Sequence, residues 1–149
     1  MFRKIVIIAG LISAALLSGC ASVPMASKEM DAQAKTFNVA PGKSNIYIYR
    51  NETFGAAMKL AVAVDGKSIG QTASKTYFAL EVEPGKHTIV SMAENTSSVD
   101  LVTEVGKNYF VWQEIKMGVL SARSKLQLVD EAAGKTAVGE CKLIDVTKQ

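Results

Sequence analysis

The sequence has 149 residues, of which 48% are hydrophobic and 21% are charged, and its formal net charge is +3. Arg3 and Lys4 lie in an N-terminal segment that we expect to be removed, which leaves a mature net charge of +1. Such a near-neutral chain lacks the basic excess that binds nucleic acid, so no nucleic-acid partner is expected.

The N-terminal segment has the organisation of a bacterial export signal. Arg3 and Lys4 precede thirteen uncharged residues, 5–17, which are too few to span a bilayer core of about 30 Å comfortably. A positive start, a short apolar run and small residues are typical of a secretory signal peptide. An uncleaved anchor is the alternative, and the polar stretch that follows argues against it.

The signal ends in Leu17-Ser18-Gly19-Cys20, which resembles the bacterial lipobox. The resemblance implies that residues 1–19 are cleaved and that the Cys20 thiol carries a diacylglyceryl group, with further acylation such as palmitate at the new N-terminus. Two or three acyl chains anchor a protein effectively permanently. Because Ala21 rather than an aspartate follows, the resemblance predicts an outer-membrane lipoprotein of the cell envelope whose domain faces the periplasm.

Residues 20–43 are predicted to form a flexible, lipid-anchored tether, because they are rich in small and polar side chains and include two prolines. Within them Met30, Ala34 and Phe37 share helical spacing, which favours one short helix docked on the domain. Residues 44–149 form the predicted domain, and about 105 residues suffice for a single packed core.

Eight short segments with the character of strands follow at spacings of about ten residues. Turn dipeptides such as Asp65-Gly66 and Pro84-Gly85 separate them. This pattern predicts an all-β, immunoglobulin-like sandwich of seven to eight strands. The predicted strands are 45–50, 59–64, 67–71, 77–82, 87–92, 99–105, 109–116 and 126–129.

The C-terminal region breaks the strand pattern and is predicted to form a short helix. Asp130 is a good N-cap, although two glycines in the segment weaken the helix. With Cys20 lipidated, Cys141 is the remaining thiol, and a buried apolar cysteine is favoured over an intermolecular disulfide or a reactive thiol. One helical face would hold Ala133, Ala137, Val138 and Cys141.

The strand region resembles the DUF2846 family of bacterial lipoproteins, whose function is unknown. The resemblance runs from Ser44 to about Leu143 and lies in the order and spacing of YIYRNETFGAAMKLAVAVDGKSIG, KTYFALEVEPGKHTI, GKNYFVWQEIKMG and LQLVDEAAG. The portion from Val64 to Ile89 is also similar to PEGA-type surface modules, which are small β-sandwich domains for binding or scaffolding. The resemblance implies the fold and the cellular location, and it implies no catalytic residues.

One pentapeptide, Gly66-Lys67-Ser68-Ile69-Gly70, matches the G-x-S-x-G motif of serine hydrolases. That chemistry needs the serine on a strained strand-to-helix turn, whereas Ser68 lies in a predicted hairpin. A small periplasmic hydrolase using Ser68, Glu83 and His87 is therefore an alternative only. With one histidine and one free cysteine far apart in the chain, no metal or other cofactor is expected.

Aromatic and charged residues on the predicted strands form a candidate binding surface for an envelope protein or a glycan. Core packing is the favoured role for the aromatic members, and the binding surface is the alternative. Trp112, on the longest strand, is expected to be largely buried between the sheets, because both faces of that strand carry large apolar groups. The candidate surface consists of Tyr47, Tyr49, Arg50, Tyr109, Glu114, Lys116 and Arg123.

These features together favour a non-enzymatic binding or structural module that lipid holds at the outer membrane. Besides the hydrolase, the remaining alternative is an inhibitor or chaperone-like factor that acts through an exposed strand edge.

Overall fold

The computed structural model describes residues 21–149, so the predicted signal peptide and the lipid site at Cys20 lie outside the described residues. Within residues 21–149, nine strands form two sheets, and two short α-helices and a 3-10 helix complete the fold. The predicted all-β sandwich with a short C-terminal helix is confirmed, and a two-residue strand near the C-terminus is added to the eight that were predicted.

The strands are β1 (Ser44–Arg50), β2 (Leu60–Val64), β3 (Lys67–Thr72), β4 (Thr76–Val82), β5 (Gly85–Met92), β6 (Thr96–Thr103), β7 (Asn108–Met117), β8 (Ala122–Val129) and β9 (Lys142–Leu143). The α-helices are α1 (Lys28–Ala34) and α2 (Glu131–Gly139), and the 3-10 helix is Val146–Lys148. None of the helices in the described part of the chain is long and apolar enough to cross a membrane.

The larger sheet has the strand order β8-β7-β1-β4-β9, and the smaller sheet has the order β3-β2-β5-β6. The chain passes back and forth between the sheets, which makes β1 a parallel neighbour of β7 and β4 a parallel neighbour of β9. The β2–β3 turn at Asp65-Gly66 has positive φ at both residues (51° and 78°), as a tight hairpin turn requires.

Strand β1 lies at the centre of the larger sheet, and all seven of its residues are buried. Ile46 and Ile48 face the smaller sheet, while Tyr47 and Tyr49 face away from it. Burial of apolar area between the sheets is the main stabilising term of such a domain. The inter-sheet core contains Ile46, Ile48, Val62, Val64, Phe78, Ile89, Leu101, Val111, Leu126 and Ile144.

A buried chain of hydrogen bonds links the two sheets beside the inter-sheet core. Thr72 Oγ1 donates to Gln113 Oε1 (2.5 Å), and Gln113 Nε2 donates to Ser91 Oγ (2.7 Å). Ser91 Oγ lies 2.7 Å from Ser124 Oγ. Each polar side chain thus has a partner, as burial requires, and the network fixes β3 and β5 of one sheet against β7 and β8 of the other.

The helices cover the outer face of the larger sheet and form a third layer. In this layer Tyr47 stacks on Phe110 with ring centroids 5.0 Å apart and an interplanar angle of 13°. Gly134 of α2 lies so close to Phe110 that a methyl group on it would overlap the ring. The helix-side core contains Tyr47, Tyr49, Tyr77, Phe110, Ala137, Val138, Cys141 and Leu143.

The start of α2 agrees with the predicted cap. The Asp130 carboxylate accepts a hydrogen bond from the backbone N–H of Ala133 at 2.9 Å. Ala137, Val138 and Cys141 are buried as expected, whereas Ala133 is exposed. The face of α2 that meets the sheet therefore lies closer to Gly134 than the sequence indicated.

Residues 21–43 contact the domain instead of forming the flexible tether that their composition predicted. Met25 forms an antiparallel bridge with Ile144, and the N–H of Ala26 donates to the carbonyl of Leu143 at 3.0 Å. The segment adds to the sheet edge at β9, because backbone groups near this edge would otherwise be unpaired.

Helix α1 docks on the outer face of the sheet as predicted for this segment. Asp31 accepts a hydrogen bond from the Tyr77 hydroxyl at 2.8 Å, which fixes the helix above β4. Ala34 and Phe37 pack against the helix-side core, whereas Met30 remains exposed. Two of the three residues predicted to dock therefore do so.

Trp112 lies on the opposite face of β7 from the predicted one. In the parallel register of β1 and β7 it is the partner of Tyr49, and both pack in the helix-side core. Val111 and Ile115 are the residues of β7 that point toward the smaller sheet. The prediction that Trp112 is largely buried between the sheets is wrong, because it is half-buried beneath the helical layer.

Candidate functional site

Three members of the predicted binding surface are buried. Tyr47 and Tyr49 lie in the helix-side core, and Arg50 is fully enclosed. The favoured role of the two tyrosines, core packing, is confirmed, and the alternative of an exposed aromatic patch is wrong for them, because α1 and α2 cover the face of β1 on which both tyrosines lie.

The other four members do not form one surface. Tyr109 points away from Tyr47 and packs, half-buried, against the inter-sheet core. Glu114 is half-buried, and Lys116 and Arg123 are exposed partners across β7 and β8. The ammonium of Lys116 lies 2.9 Å from the Glu114 carboxylate, an ordinary surface ion pair of small energetic value.

Arg50 holds the loop between β1 and β2. Its Nη1 donates to the carbonyl of Met58 (2.6 Å), and its Nη2 donates to the carbonyl of Gly55 (2.5 Å). Burial lowers the pKa of the guanidinium, and the charge of Glu52 opposes that shift. Arg50 is therefore a structural residue that orders the loop and does not contact solvent.

The geometry does not assemble Ser68, Glu83 and His87 into a catalytic triad. His87 Nδ1 lies 2.7 Å from Asp65 Oδ2, and Nε2 lies 2.7 Å from the carbonyl of Glu83. The Glu83 carboxylate is instead paired with Lys43. With both ring nitrogens occupied, His87 has no nitrogen aimed at Ser68, as a general base would need.

Two hydrogen bonds favour the charged form of the His87 ring. Burial on its own would lower the pKa of His87, but the hydrogen bonds to Asp65 and to the Glu83 carbonyl outweigh it and raise the pKa. The hydrogen bond from His87 in turn lowers the pKa of Asp65. This pair ties the β2–β3 turn to β5, which is a structural role.

An open groove of about 590 Å³ lies between α2 and the larger sheet. We call it the α2 groove. Trp112 and Tyr49 form its floor, and its volume lies in the range of small-ligand sites. Its walls and rim are Asn51, Val129, Ala132, Ala133, Thr136, Ala137 and Glu140.

The indole at the floor of the α2 groove is fixed in place. Trp112 Nε1 donates to Glu52 Oε1 at 3.0 Å, and the same oxygen accepts the backbone N–H of Ile115 at 3.3 Å. The second oxygen of Glu52 is buried without a partner among the described residues. A rigid aromatic ring with one polar edge already satisfied is suited to stacking and apolar contact.

The α2 groove exists because the residues of α2 that overlook Trp112 are short. Ala132, Ala133 and Thr136 cannot fill the space above the indole, and the close approach of Gly134 to Phe110 sets the height of the helix. The Thr136 hydroxyl donates to the carbonyl of Ala132 at 3.1 Å, so one donor of the wall is used within the helix. The groove therefore offers mainly apolar contact.

The model of one protein family, "Protein of unknown function (DUF2846)", matches residues 40–125. The chain belongs to the DUF2846 family. The matched region contains β1 to β7 and the first part of β8, and therefore the β-sandwich and Trp112. Helix α2, which completes the groove, lies beyond the matched region. The PEGA-like resemblance of residues 64–89 stays a prediction.

The chain is also similar to an uncharacterised protein of Haemophilus influenzae. The two are 39% identical over 132 residues, which cover 87% of this chain and 79% of that protein. The similarity therefore extends beyond residues 40–125, which the DUF2846 model matches.

Cys141 of this DUF2846 protein is free, buried and unsuited to act as a nucleophile. Burial raises the pKa of its thiol to about 12, so the reactive thiolate is absent at neutral pH. The predicted buried apolar cysteine is confirmed. Within residues 21–149, no group of three or more His, Cys, Asp or Glu side chains is arranged to hold a metal ion.

The sequence held a partial signal for the α2 groove. Trp112 is the lone tryptophan of the chain, and the short residues of α2 are consistent with a helix face that leaves space. Neither signal indicates that β7 and α2 lie together on the outer face of the sheet. That juxtaposition depends on the parallel pairing of β1 with β7.

Proposed function

We propose that this DUF2846 protein is a lipid-anchored, non-enzymatic binding module of the bacterial cell envelope, which takes its ligand in the α2 groove. The anchor is Cys20, supported by the lipobox-like tetrapeptide that precedes the described domain. The expected location is the periplasmic side of the outer membrane, supported by Ala21 at the position after Cys20.

The observation that carries the binding role is the half-buried indole of Trp112 at the floor of the α2 groove. Glu52 fixes the ring and α2 leaves its face accessible. Single fixed aromatic rings of this kind anchor one sugar ring or one apolar side chain of a partner. Asn51 and Glu140 at the rim supply polar groups for orientation.

Binding is favoured over catalysis by the state of the groups that could react. His87 has both nitrogens engaged, and the Cys141 thiol is buried with a raised pKa. Neither residue lines the α2 groove. The groove thus has the aromatic floor of a recognition site without a nucleophile paired to a base.

Because Trp112 is the only tryptophan of the chain, its fluorescence reports directly whether a glycan binds in the α2 groove. Addition of soluble peptidoglycan fragments is expected to change the emission in a saturable way. Ala133→Phe, which fills the groove from the exposed face of α2, should abolish the change, and Glu131→Phe on the same helix should not. If the emission does not change, or if the Ala133→Phe protein responds as strongly as the parent, the α2 groove is not a glycan site.

A further inference from the structure

Four large apolar side chains are exposed together at one end of the domain. Their exposed fractions are 51% for Phe54, 77% for Met117, 87% for Val119 and 95% for Leu120. Phe54 belongs to the β1–β2 loop, Met117 is the last residue of β7, and Val119 and Leu120 lie in the β7–β8 turn; all four line a cleft of about 300 Å³. We call these four residues the apolar tip. A contiguous apolar patch of this kind marks an interaction surface.

The β7–β8 part of the apolar tip is an ordered turn. The Glu94 carboxylate accepts backbone N–H groups of Val119 (3.0 Å), Leu120 (3.0 Å) and Ser121 (2.8 Å). These bonds hold the pKa of Glu94 below its ordinary value, so the acceptor stays charged. The turn thereby projects the side chains of Val119 and Leu120 into solvent in a defined arrangement.

The β1–β2 part of the apolar tip is also fixed from inside. The buried guanidinium of Arg50 binds the carbonyl of Gly55, which directly follows Phe54, and the carbonyl of Met58 further along the loop. Phe54 is thus presented next to the β7–β8 turn by a loop that is held at two points. The exposure of these apolar groups does not result from a lack of local structure.

The described chain enters the domain at the same end. The N–H of Ala21 donates to the carbonyl of Ala56, in the β1–β2 loop, at 2.9 Å. Cys20 is the residue directly before Ala21 in the sequence. A lipid on Cys20 is therefore covalently joined to the end of the domain that carries the apolar tip.

The opposite end of the domain carries ion pairs beside the exposed Val105. Strand β7 runs ten residues from Asn108 to Met117, which corresponds to about 30 Å between the ends. The turn before it carries the Lys107–Glu104 ion pair, and the Lys43–Glu83 ion pair lies at the same end. At the tip end the exposed cations are Lys116, which lines the cleft and is paired with Glu114, and Lys59 and Arg123, which adjoin residues that line it.

We propose that the apolar tip inserts into the headgroup region of the leaflet that holds the Cys20 lipid, so that the domain stands end-on on the membrane. This inference rests on the lipid anchor of the proposed function. Large apolar side chains rimmed by cations are the side chains that interfacial membrane contacts use. Trp112, five residues from Met117, would then hold the α2 groove about 17 Å above the tip, open to the periplasm.

The test places the only tryptophan at either end of the domain. In a Trp112→Phe background, Leu120→Trp probes the tip and Val105→Trp probes an exposed valine in the turn at the far end of β7. Each lipoprotein is reconstituted in phosphatidylethanolamine–phosphatidylglycerol vesicles, with and without brominated acyl chains. Circular dichroism of each variant confirms that the fold is kept.

The expected result is a blue shift and a loss of emission in brominated vesicles for Leu120→Trp, with neither change for Val105→Trp. Equal, water-like emission from both positions overturns the insertion of the tip. Intact mass spectrometry of the same samples reports the Cys20 lipid separately. If that lipid is absent, a maleimide phospholipid coupled to Cys20 supplies the anchor instead. The coupling is selective for Cys20 because Cys141 is buried. The comparison of Leu120→Trp with Val105→Trp then tests the insertion of the tip independently of the natural lipid.

Discussion

The Nε1 of Trp112 donates a hydrogen bond to Oε1 of Glu52, a residue 60 positions earlier in the chain, at 3.0 Å. The bond joins the floor of the α2 groove to the β1–β2 loop, which carries Phe54 of the apolar tip. Glu52 thus contacts both the candidate binding site and the loop that faces the proposed membrane surface.

Replacement of Glu52 should loosen the indole. In Glu52→Ala the N–H groups of Trp112 and Ile115 lose their acceptor, so we expect a loss of about 1–3 kcal/mol in the free energy of unfolding. Iodide should also quench Trp112 more readily. Glu52→Gln keeps an acceptor oxygen and should remain close to the parent protein. Urea denaturation of the three proteins makes the comparison, and equal losses for both variants would refute the role of the hydrogen bond.

The two glycines of α2 should respond in opposite directions to alanine. Gly134→Ala places a methyl group against the Phe110 ring and should destabilise the domain by about 1–3 kcal/mol, despite the higher helix propensity of alanine. Gly139→Ala meets open space and should be neutral or stabilise by up to about 1 kcal/mol. Thermal denaturation measures both. A stabilised Gly134→Ala protein would show that α2 does not pack on Phe110 as described.

The His87–Asp65 pair should make stability depend on pH. The pKa of His87 is raised in the folded state above its ordinary value of 6.5, so the charged ring binds its proton more tightly there. The stabilisation is therefore fully present below about pH 6.5 and is lost as the pH rises through the folded-state pKa.

Melting temperatures measured from pH 6 to pH 9 should accordingly fall for the parent protein. His87→Gln removes the titrating group, and its curve should be flatter over the same interval. A parent melting temperature that stays constant or rises in this range is incompatible with a doubly hydrogen-bonded imidazolium at this position.

Gln113 should be among the most sensitive polar residues of the domain. Gln113→Ala leaves Thr72 and Ser91 unpaired in the interior and opens a cavity, at an expected cost of about 3 kcal/mol. Gln127→Ala on the neighbouring strand removes a half-buried side chain and its hydrogen bond to the Glu114 carboxylate (2.6 Å), and it should cost about 1 kcal/mol, less than Gln113→Ala. Chemical denaturation measures both losses in the free energy of unfolding, and equal losses for the two variants would contradict the buried network.

The strands could be predicted from sequence because their signals are local. Turn dipeptides such as Asp65-Gly66 and the alternation of apolar residues depend only on near neighbours, and the predicted strands coincide with β1 to β8 within a few residues. The cap of α2 at Asp130 is local in the same way. These features form from local interactions and do not depend on long-range contacts.

The faces of the central strands could not be predicted, because the larger sheet is covered on both sides. Alternation along β7 places Trp112 and Val111 on opposite faces, but both faces are apolar and either could have met the smaller sheet. The choice is made by the parallel pairing with β1, which is a long-range contact. The α2 groove and the failure of the predicted aromatic patch both follow from this choice.

The packing of residues 21–43 was missed for a related reason. Their small and polar composition is that of a linker, and the backbone bonds of Met25 and Ala26 at the edge of β9 carry no sequence signature. The apolar tip could not be predicted because nothing in the sequence distinguishes Val119 and Leu120 from core residues. Only the hydrogen bonds that their N–H groups donate to Glu94 show that the turn holds these side chains outward.

Photo-crosslinking in living cells most directly tests the proposal that the α2 groove is a binding site. Benzoylphenylalanine is placed at Thr136, which lines the groove, and in a separate protein at Val102, which is exposed on β6 of the smaller sheet. We expect one discrete adduct from position 136, lost when Trp112 is replaced by alanine, and no such adduct from position 102. The absence of an adduct at 136, or the same adducts from both positions, would contradict the proposal.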